Sequence, residues 1–292
     1  MKLRHLLLAS LLLGLAALTG CTDAAGSRGT APTAAPKPSP SSHTASRQPS
    51  PQPTSDAPAG HATSAPRSIT IELWLTRNGR LFHTVRTRSA TAATTKLALR
   101  ELIAGATQAE AAAGVSTALP SETTFSASVS GGVATVSFPA SFYAGGRDLA
   151  RLRQAQVVYT LTQFATVSKV GFQRDGEALG WPAGRSAYAD VLPAIVVTSP
   201  RIGAQVRSPV TITGTANVYE ATVSVRILDA AGREIATGFT TATCGSGCRG
   251  RFSTSLSFQV STAQTGRIQV YEVSAEDGSR VNVVDIPVSL QP

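Results

Sequence analysis

The sequence predicts two folded domains of different class, an α+β domain over residues 68–192 and an all-β sandwich over residues 193–292. Three observations lead to this prediction. Stretches of helical periodicity alternate with short strands before Pro193. About seven short strands separated by Gly and Asp turns follow it, which is typical of a sandwich. The roughly 225 residues that remain after an N-terminal leader and tether are enough for two cores.

The first 20 residues have the pattern of an export leader. Lys2 and Arg4 precede the apolar run 6–18, which is too short to remain as a membrane-spanning helix. The sequence Leu18-Thr19-Gly20-Cys21 resembles the lipobox of bacterial lipoproteins, in which the chain is cut before the cysteine and the sulfur is acylated. This resemblance implies an extracytoplasmic protein held to the membrane through lipidated Cys21. The alternative is an ordinary cleaved signal peptide with a coincidental cysteine.

Residues 21–67 form the predicted tether. The stretch from Thr22 to Arg67 holds nine prolines among Ala, Ser and Thr, with almost no larger apolar side chain. Such a composition cannot bury a core, so we expect a disordered segment that lifts the domains away from the membrane. The alternative, that this segment is itself a ligand, rests on composition alone.

The first half of the α+β domain is predicted as a hairpin and two helices. Alternating apolar residues over 69–75 and the turn Asn78-Gly79 lead into a second strand over 81–88. Helical spacing predicts a helix over 91–104. The sequence from Thr107 to Glu110 has the form of a capping box that opens a short second helix.

The second half is predicted as a hairpin around Gly131-Gly132, a helix over 148–166, a strand over 169–172, and a turn at Asp175-Gly176 into 177–179. The helix has a predicted core stripe of Ala150, Val157, Val158, Leu161, Phe164 and Ala165. Gln154 lies in the same stripe, and we expect it to bond to a sheet-edge backbone group rather than to act in catalysis. These helices would pack on a small sheet.

Motifs over about residues 69–190 resemble the GerMN domain of spore germination proteins. They are Leu102-Ile103-Ala104-Gly105, Glu110, Thr117-Ala118-Leu119-Pro120, Gly132-Val133-Ala134-Thr135-Val136 and the stretch from Gln156 to Phe164. Ala106 stands where the family usually has proline, which affects the end of the first helix and not the fold. The resemblance implies protein contacts made laterally through helix and sheet faces.

The strands of the second domain are predicted over 195–198, 210–216, 222–228, 234–240, 252–260, 267–275 and 281–290. Several motifs resemble the immunoglobulin-like domain of bacterial spore germination proteins, which often follows a GerMN domain. They are Ser199-Pro200, Gly214-Thr215-Ala216-Asn217, Tyr219-Glu220, Gly250, Phe252 and the stretch from Glu272 to Gly278. The fold class is therefore a GerMN-like α+β domain followed by an immunoglobulin-like sandwich.

Cys244 and Cys248 are predicted to form a disulfide. Once Cys21 is assigned to lipidation, these two cysteines remain, and an exported protein lies in an oxidising compartment where such a pair forms a disulfide. The glycines between them allow a tight loop. Closing so short a loop contributes roughly 2 kcal/mol. The alternative, a zinc site, would need two further ligands, and no histidine occurs in the last hundred residues.

No catalytic residue, metal or cofactor is predicted. A catalytic triad needs a histidine, and His83 is the only one in a predicted folded domain. We expect His83 to be a surface or hydrogen-bonded strand residue. Asn217, Tyr219 and Glu220, between two strands, and Asp277, in a turn, are the candidates for contact with a partner. The alternative for Glu220 is a carboxylate that accepts backbone N–H groups, and turn acids such as Asp277 usually serve backbone geometry.

The net charge of +9 is spread over the chain without a basic stripe, so no nucleic-acid partner is expected. We predict a noncatalytic scaffold or protein-interaction module at the cell envelope, linked to sporulation or germination, that binds envelope proteins and associates laterally with itself. One alternative is an accessory regulator of a membrane sensor kinase, although such GerMN lipoproteins usually have a propeller where this chain has a sandwich. The other is a cell-wall enzyme, which lacks a convincing acid pair.

Overall fold

The computed structural model describes residues 67–292, which belong to one compact unit. The predicted leader, Cys21 and the tether up to residue 66 lie outside the described residues. Within the part of the chain that is described, no helix has the length and apolar character needed to traverse a bilayer.

The α+β domain begins with the predicted hairpin. Strands β1 (Ser68–Arg77) and β2 (Arg80–Ser89) pair antiparallel around Asn78 and Gly79, which both have positive φ. Positive φ at both central residues matches the right-handed twist of the strands, which explains the Asn-Gly pair. The hairpin prediction is confirmed.

A second sheet has the order β3-β4-β5-β6. Its strands are β3 (Ser126–Ser130), β4 (Val133–Phe138), β5 (Lys169–Arg174) and β6 (Glu177–Ala178). β3 and β4 form the predicted second hairpin, whereas β4 and β5 run parallel. A parallel pair needs a crossover, and the long helix between these strands supplies it.

Four α-helices accompany the two sheets: α1 (Thr94–Ala104), α2 (Gln108–Ala112), α3 (Ala140–Tyr143) and α4 (Arg147–Leu161). A 3₁₀ helix covers Arg185–Val191. The capping box of α2 is confirmed, because Thr107 Oγ1 accepts the Glu110 N–H while the Glu110 carboxylate accepts the Thr107 N–H. Helix α3 and the 3₁₀ helix were not predicted.

Two helix boundaries differ from the prediction. α1 starts three residues late, after Thr91 Oγ1 accepts the Ala93 N–H at 3.2 Å in a local turn. α4 ends at Leu161 rather than at residue 166, because successive turns follow in which Phe164 N–H bonds the Leu161 carbonyl. The predicted core stripe is therefore wrong at Ala165, which is exposed, whereas Phe164 is half-buried against the core.

The sandwich consists of a three-stranded sheet ordered β12-β9-β7 and a five-stranded sheet ordered β11-β10-β13-β14-β8. The strands are β7 (Ile195–Ser199), β8 (Gln205–Val206), β9 (Val210–Ala216), β10 (Thr222–Leu228), β11 (Glu234–Thr241), β12 (Gly250–Leu256), β13 (Gln264–Val273) and β14 (Arg280–Leu290). The seven predicted strands are present with shifted ends, and the two-residue β8 was not predicted.

The core of the sandwich lies between the two sheets. Alternate residues of the central strands point inward, among them Ile212 of β9, Val225 and Ile227 of β10 and Ile268 of β13, and all four are fully buried. Gly214 of β9 is required by close approach, since a Cβ there would collide with the Val196 carbonyl oxygen and the Phe252 ring.

The two domains contact each other within the compact unit. Arg77 Nη1 donates to the Asp285 carbonyl at 2.7 Å. Arg249 Nη2 donates to the Pro193 carbonyl at 2.6 Å, so an arginine of the sandwich holds the segment that joins the domains. Val196 of β7 packs with the apolar core of the α+β domain.

Candidate functional site

Two of the four predicted contact residues, Asn217 and Glu220, bond to the disulfide loop. Cys244 and Cys248 are bonded, with their Cα atoms 5.7 Å apart. Asn217 Oδ1 accepts the Gly247 N–H at 3.0 Å. The predicted disulfide therefore closes a loop that Asn217 orients from a neighbouring strand connection. We call residues 217–220, the loop 244–248 and the hairpin 272–282 the disulfide end of the sandwich.

Tyr219 is the prominent exposed side chain of the disulfide end. It is 56% exposed. Its backbone N–H donates to Glu272 Oε1 at 2.8 Å, and Asn282 Nδ2 donates to Glu272 Oε2 at 2.7 Å. Glu272 thus fixes the backbone beneath the ring by bridging two segments. We did not predict this role, and the signal for it was a carboxylate in the strand motif that follows Tyr271.

The Glu220 carboxylate does not have the alternative role considered above, which was to accept backbone N–H groups. Its φ is +50°, in the left-handed region that non-glycine residues rarely occupy. Its backbone N–H donates to Ser246 Oγ at 3.0 Å. Among the described residues its carboxylate accepts no hydrogen bond, so the expectation that it accepts backbone N–H groups is wrong. The neighbouring Glu272 has that function, and the Glu220 carboxylate faces solvent.

Asp277 organises the turn between β13 and β14. Its Oδ1 accepts the Ser279 N–H at 3.0 Å, and the Gly278 N–H donates to the Ser274 carbonyl at 2.9 Å. The hydrogen bond from the Ser279 backbone, with further ones from side chains, holds the pKa of this carboxyl below its usual range. The geometry fits the backbone role usual for a turn acid.

Exposed apolar groups surround these polar contacts. Val273, Val281 and Val283 at the end of the β13–β14 hairpin are 46%, 37% and 45% exposed. Val273 follows Glu272 along β13 and Val281 pairs with Glu272 across the hairpin, so these two valines adjoin the carboxylate that bonds the Tyr219 backbone. An aromatic ring beside polar groups on a rigid base is typical of protein contact sites.

The other titratable residues do not form a catalytic group. His83 is buried and lies edge-on to the Trp74 ring at 5.2 Å, so it is a packed strand residue. The part of the chain that is described contains no cluster of three or more His, Cys, Asp or Glu side chains that could hold a metal ion.

Gln154 does not bond to a sheet-edge backbone group. Its Oε1 accepts only a 3.5 Å contact from the Tyr188 hydroxyl among the described residues. Gln156, two residues on, has the predicted role: its amide accepts the Ala118 N–H and donates to the Trp74 carbonyl, each at 2.9 Å. Residues 155–161 of α4 are all buried, so the buried surface of the helix is wider than the predicted stripe and includes Gln156, which explains the error.

Another exposed aromatic residue was missed. Trp181, in the sequence Gly180-Trp181-Pro182 after β6, is 95% exposed. The sequence could have indicated this exposure, because a tryptophan between glycine and proline in a turn has no large neighbouring side chain to cover its ring.

Two family profiles match the chain, one in each domain. The Germane family, described as "Sporulation and spore germination", matches residues 74–180. The Gmad2 family, described as "Immunoglobulin-like domain of bacterial spore germination", matches residues 194–279. The two resemblances and the fold class predicted from the sequence are confirmed.

The solved structures that match the chain have low identity and low TM-scores. The first GerMN domain of the sporulation protein GerM from Bacillus subtilis is 24% identical with a TM-score of 0.35, over 40% of this chain and 95% of that one. The tandem GerMN domains of GerM are 16% identical with a TM-score of 0.37, over 77% of this chain and 61% of that one. A putative lipoprotein from Clostridium perfringens is 16% identical with a TM-score of 0.29, over 41% and 89%. Comparison with curated protein sequences finds no match.

Proposed function

We propose that this protein, which joins a GerMN-like domain to an immunoglobulin-like domain of the spore germination type, is a noncatalytic interaction module of the cell envelope. The observation that carries the proposal is the disulfide end, where an exposed Tyr219 ring and the exposed side chains of Val273 and Val281 lie on a restrained backbone. Ordering such a surface before binding reduces the entropy lost on association.

The polar groups of this surface support a binding role rather than a chemical one. Asn217, Glu272 and Asp277 each accept backbone N–H groups and so hold loops in place. The two cysteines bond each other. A nucleophile and a base in mutual contact, which covalent catalysis needs, do not occur together among these side chains.

The address that we propose is the outer face of the membrane, with Cys21 as the acylated residue. The sequence before Cys21 supports this assignment. Labelling cells with radioactive palmitate tests it: label on the natural protein and none on a Cys21→Ala variant is the expected result. Equal label on both, or none on either, would refute the address.

The partner that we propose is another envelope protein. A photoreactive amino acid placed at Tyr219 in living cells is expected to crosslink to a discrete partner, identified by mass spectrometry. A matched probe at Phe239, which is 73% exposed on strand β11 of the same domain, is the control. The same products from both positions, or none from Tyr219, would count against an interface at the disulfide end.

Lateral self-association is a separate part of the proposal, and the GerMN-like domain is the part we expect to mediate it. Mass measurement of the purified protein over a range of concentrations is expected to show oligomers. Changing Trp181 to Ser is expected to weaken them, since a large exposed ring is a typical contact residue. A strict monomer at all concentrations would end this part of the proposal.

A further inference from the structure

A cleft of about 830 Å³ lies between the two domains of the compact unit. The α+β domain contributes Trp74, His83, Tyr159 and Arg185 to its lining, and the sandwich contributes side chains of β9 and β12. This volume is within the range of about 300–1,000 Å³ usual for small-molecule sites. The cleft borders the disulfide end, because Thr243 and Arg249 of its lining flank the loop 244–248.

Arg185 is the central cation of the cleft. Its guanidinium lies over the rings of Tyr159 and Trp74, at 5.1 and 5.7 Å. Nε donates to Thr162 Oγ1 and Nη2 to the Tyr159 carbonyl, each at 2.8 Å. Among the described residues, Nη1 has no hydrogen-bond acceptor and no carboxylate lies within ion-pair distance. Two aromatic rings and two acceptors therefore hold the side chain with donors left over.

Arg249 and Arg251 bring further positive charge from the sandwich. Arg249 is held by the Pro193 and Ala194 carbonyls at 2.6 and 3.2 Å, and it forms no ion pair with a described carboxylate. Arg251 lines the same cleft from β12 with an exposed side chain. Burial lowers the pKa of both Arg185 and Arg249, which indicates that each guanidinium is partly desolvated without full compensation.

The cleft has less negative than positive charge in its lining. Glu72 is the one carboxylate in the lining, against three arginines. His83 adds no charge at neutral pH, because burial lowers its pKa below the ordinary value of 6.5. Partly desolvated cations with free donors are stabilised by an oxyanion, and guanidinium groups match carboxylate and phosphate geometry.

Trp74 provides an independent observation. Its ring lines the cleft, and its buried indole N–H has no acceptor among the described residues. Buried donors without a partner are rare in native proteins, and each calls for an explanation. This nitrogen is out of contact with solvent in the structure, so a ligand acceptor would reach it only if the side chains around Trp74 move.

We propose that this cleft is a binding site for a small ligand that bears a carboxylate or phosphate group, with Arg185, Arg249 and Arg251 as its anion-binding residues. Carboxylates and phosphates share the oxyanion geometry that these guanidinium groups recognise. Arg185 and Arg249 come from different domains, so a ligand bound by both would also hold the domains together.

Trp74 serves as the reporter in the test. The chain has two tryptophans, so Trp181→Phe leaves Trp74 as the only one in the full chain. Glycerol 3-phosphate and N-acetylalanine are the two anionic probes, and glycerol and N-acetylalaninamide are their neutral counterparts. A saturable change in Trp74 emission with one or both anions, and none with the neutral compounds or with sodium chloride at equal ionic strength, is the expected result.

Variants assign the effect to the cleft. Arg185→Gln and Arg251→Gln are each expected to weaken binding about tenfold, the loss usual for one charge-assisted hydrogen bond. Arg251 is exposed, so its variant tests the site even if Arg185→Gln fails to fold. Arg100→Gln, on the exposed face of α1, is the matched control and is expected to bind as the parent does. If neither anion changes Trp74 emission, or if Arg251→Gln binds as tightly as the parent, the proposal is wrong.

Discussion

The two domains stabilise their interiors in different ways. Within the described chain, the sandwich buries one polar or charged side chain, Asp229. The α+β domain buries nine: Thr76, His83, Thr84, Arg86, Glu110, Thr123, Arg153, Gln156 and Thr160. The sandwich satisfies its backbone groups through two sheet ladders, so its core can be apolar. The α+β domain joins helices and loops to two separate sheets, and buried side chains supply hydrogen bonds that no ladder provides.

Arg86 and Glu110 show how these polar side chains act. Arg86 Nη1 and Nη2 donate to Glu110 Oε1 and Oε2 at 2.9 and 2.5 Å, and Nη2 also donates to the Gly105 carbonyl at 3.1 Å. Thr84 Oγ1 donates to Glu110 Oε1 at 2.6 Å. The Arg86–Glu110 pair therefore links strand β2, the end of α1 and the start of α2. Specific pairing defines the first core, and shape complementarity defines the second.

The largest effect is expected where a buried charge loses its partner. Glu110→Ala should lower the free energy of unfolding by about 3–5 kcal/mol, because Arg86 is left charged and buried. Burial alone would raise the pKa of Glu110, but hydrogen bonds from Arg86, Thr84 and Thr107 outweigh it and lower the pKa. Urea unfolding at pH 7 measures the change.

Two variants sharpen this prediction. Glu101→Ala removes the partner of Arg88 in a pair at 2.7 Å whose arginine is 44% exposed, and it should cost less than about 1 kcal/mol. The double variant Arg86→Met with Glu110→Leu should recover much of the loss, because an apolar pair leaves no unpaired charge. A double variant less stable than Glu110→Ala would show that the link specifies the packing of α1 and α2 beyond its charge.

In the sandwich the corresponding effect should come from loss of volume. Ile227→Ala removes a fully buried side chain between the two sheets and should cost about 2–5 kcal/mol through lost transfer energy and a cavity. Ile227→Val should cost about 0.5–1.5 kcal/mol. Both are measured by urea unfolding. A loss as large for valine as for alanine would contradict a core governed by packed volume.

A smaller effect is expected at a neutral polar clamp of the first domain. Gln156→Leu keeps much of the side-chain volume but leaves the Ala118 N–H and the Trp74 carbonyl without their partner. The free energy of unfolding should fall by about 1–3 kcal/mol. Gln154→Leu is the matched control, since Gln154 has only the long contact to Tyr188, and it should change stability by a few tenths of a kcal/mol. Equal losses would remove the distinction between the two glutamines.

The smallest effect is a dependence of stability on pH that His83 introduces. Burial, assisted by the positive charge of Arg185 and opposed by Glu72, lowers the pKa of His83 in the folded protein. The unfolded chain therefore takes up the proton first, so stability falls as the pH drops below about 6.5. The slope from this residue cannot exceed about 1.4 kcal/mol per pH unit.

Comparison with His83→Gln isolates this contribution. The difference in unfolding free energy between the two proteins, measured from pH 7.5 to pH 5, should change in favour of the variant as the pH falls. The 3.9 Å contact between His83 Nε2 and Glu72 Oε2 does not reverse the sign, because burial outweighs the attraction of Glu72 and the pKa of His83 stays lowered. A difference that is constant with pH would show that His83 titrates alike in the folded and unfolded states.

Most of the secondary structure that could be predicted from the sequence came from patterns among neighbouring residues. The Asn78-Gly79 turn, the capping box at Thr107 and the alternation in the sandwich strands each depend on neighbours within a few residues, and each prediction is confirmed. The boundaries of α4 and the identity of its buried glutamine could not be predicted, because they depend on which elements pack around the helix. Of the site residues, Tyr219 was found from its position between strands, whereas Glu272 beneath it was not.

The order and class of the two domains were determined by the sequence itself, because periodicity and turn chemistry act along a short stretch of chain. The tertiary structure decided which polar side chains meet. Arg86 and Glu110 are 24 residues apart, and Arg249 reaches the Pro193 carbonyl across 56 residues. Such contacts leave no periodic trace, since only the packing of whole elements brings the partners together. The buried ion pair and the cleft with its three arginines are therefore properties of the fold alone.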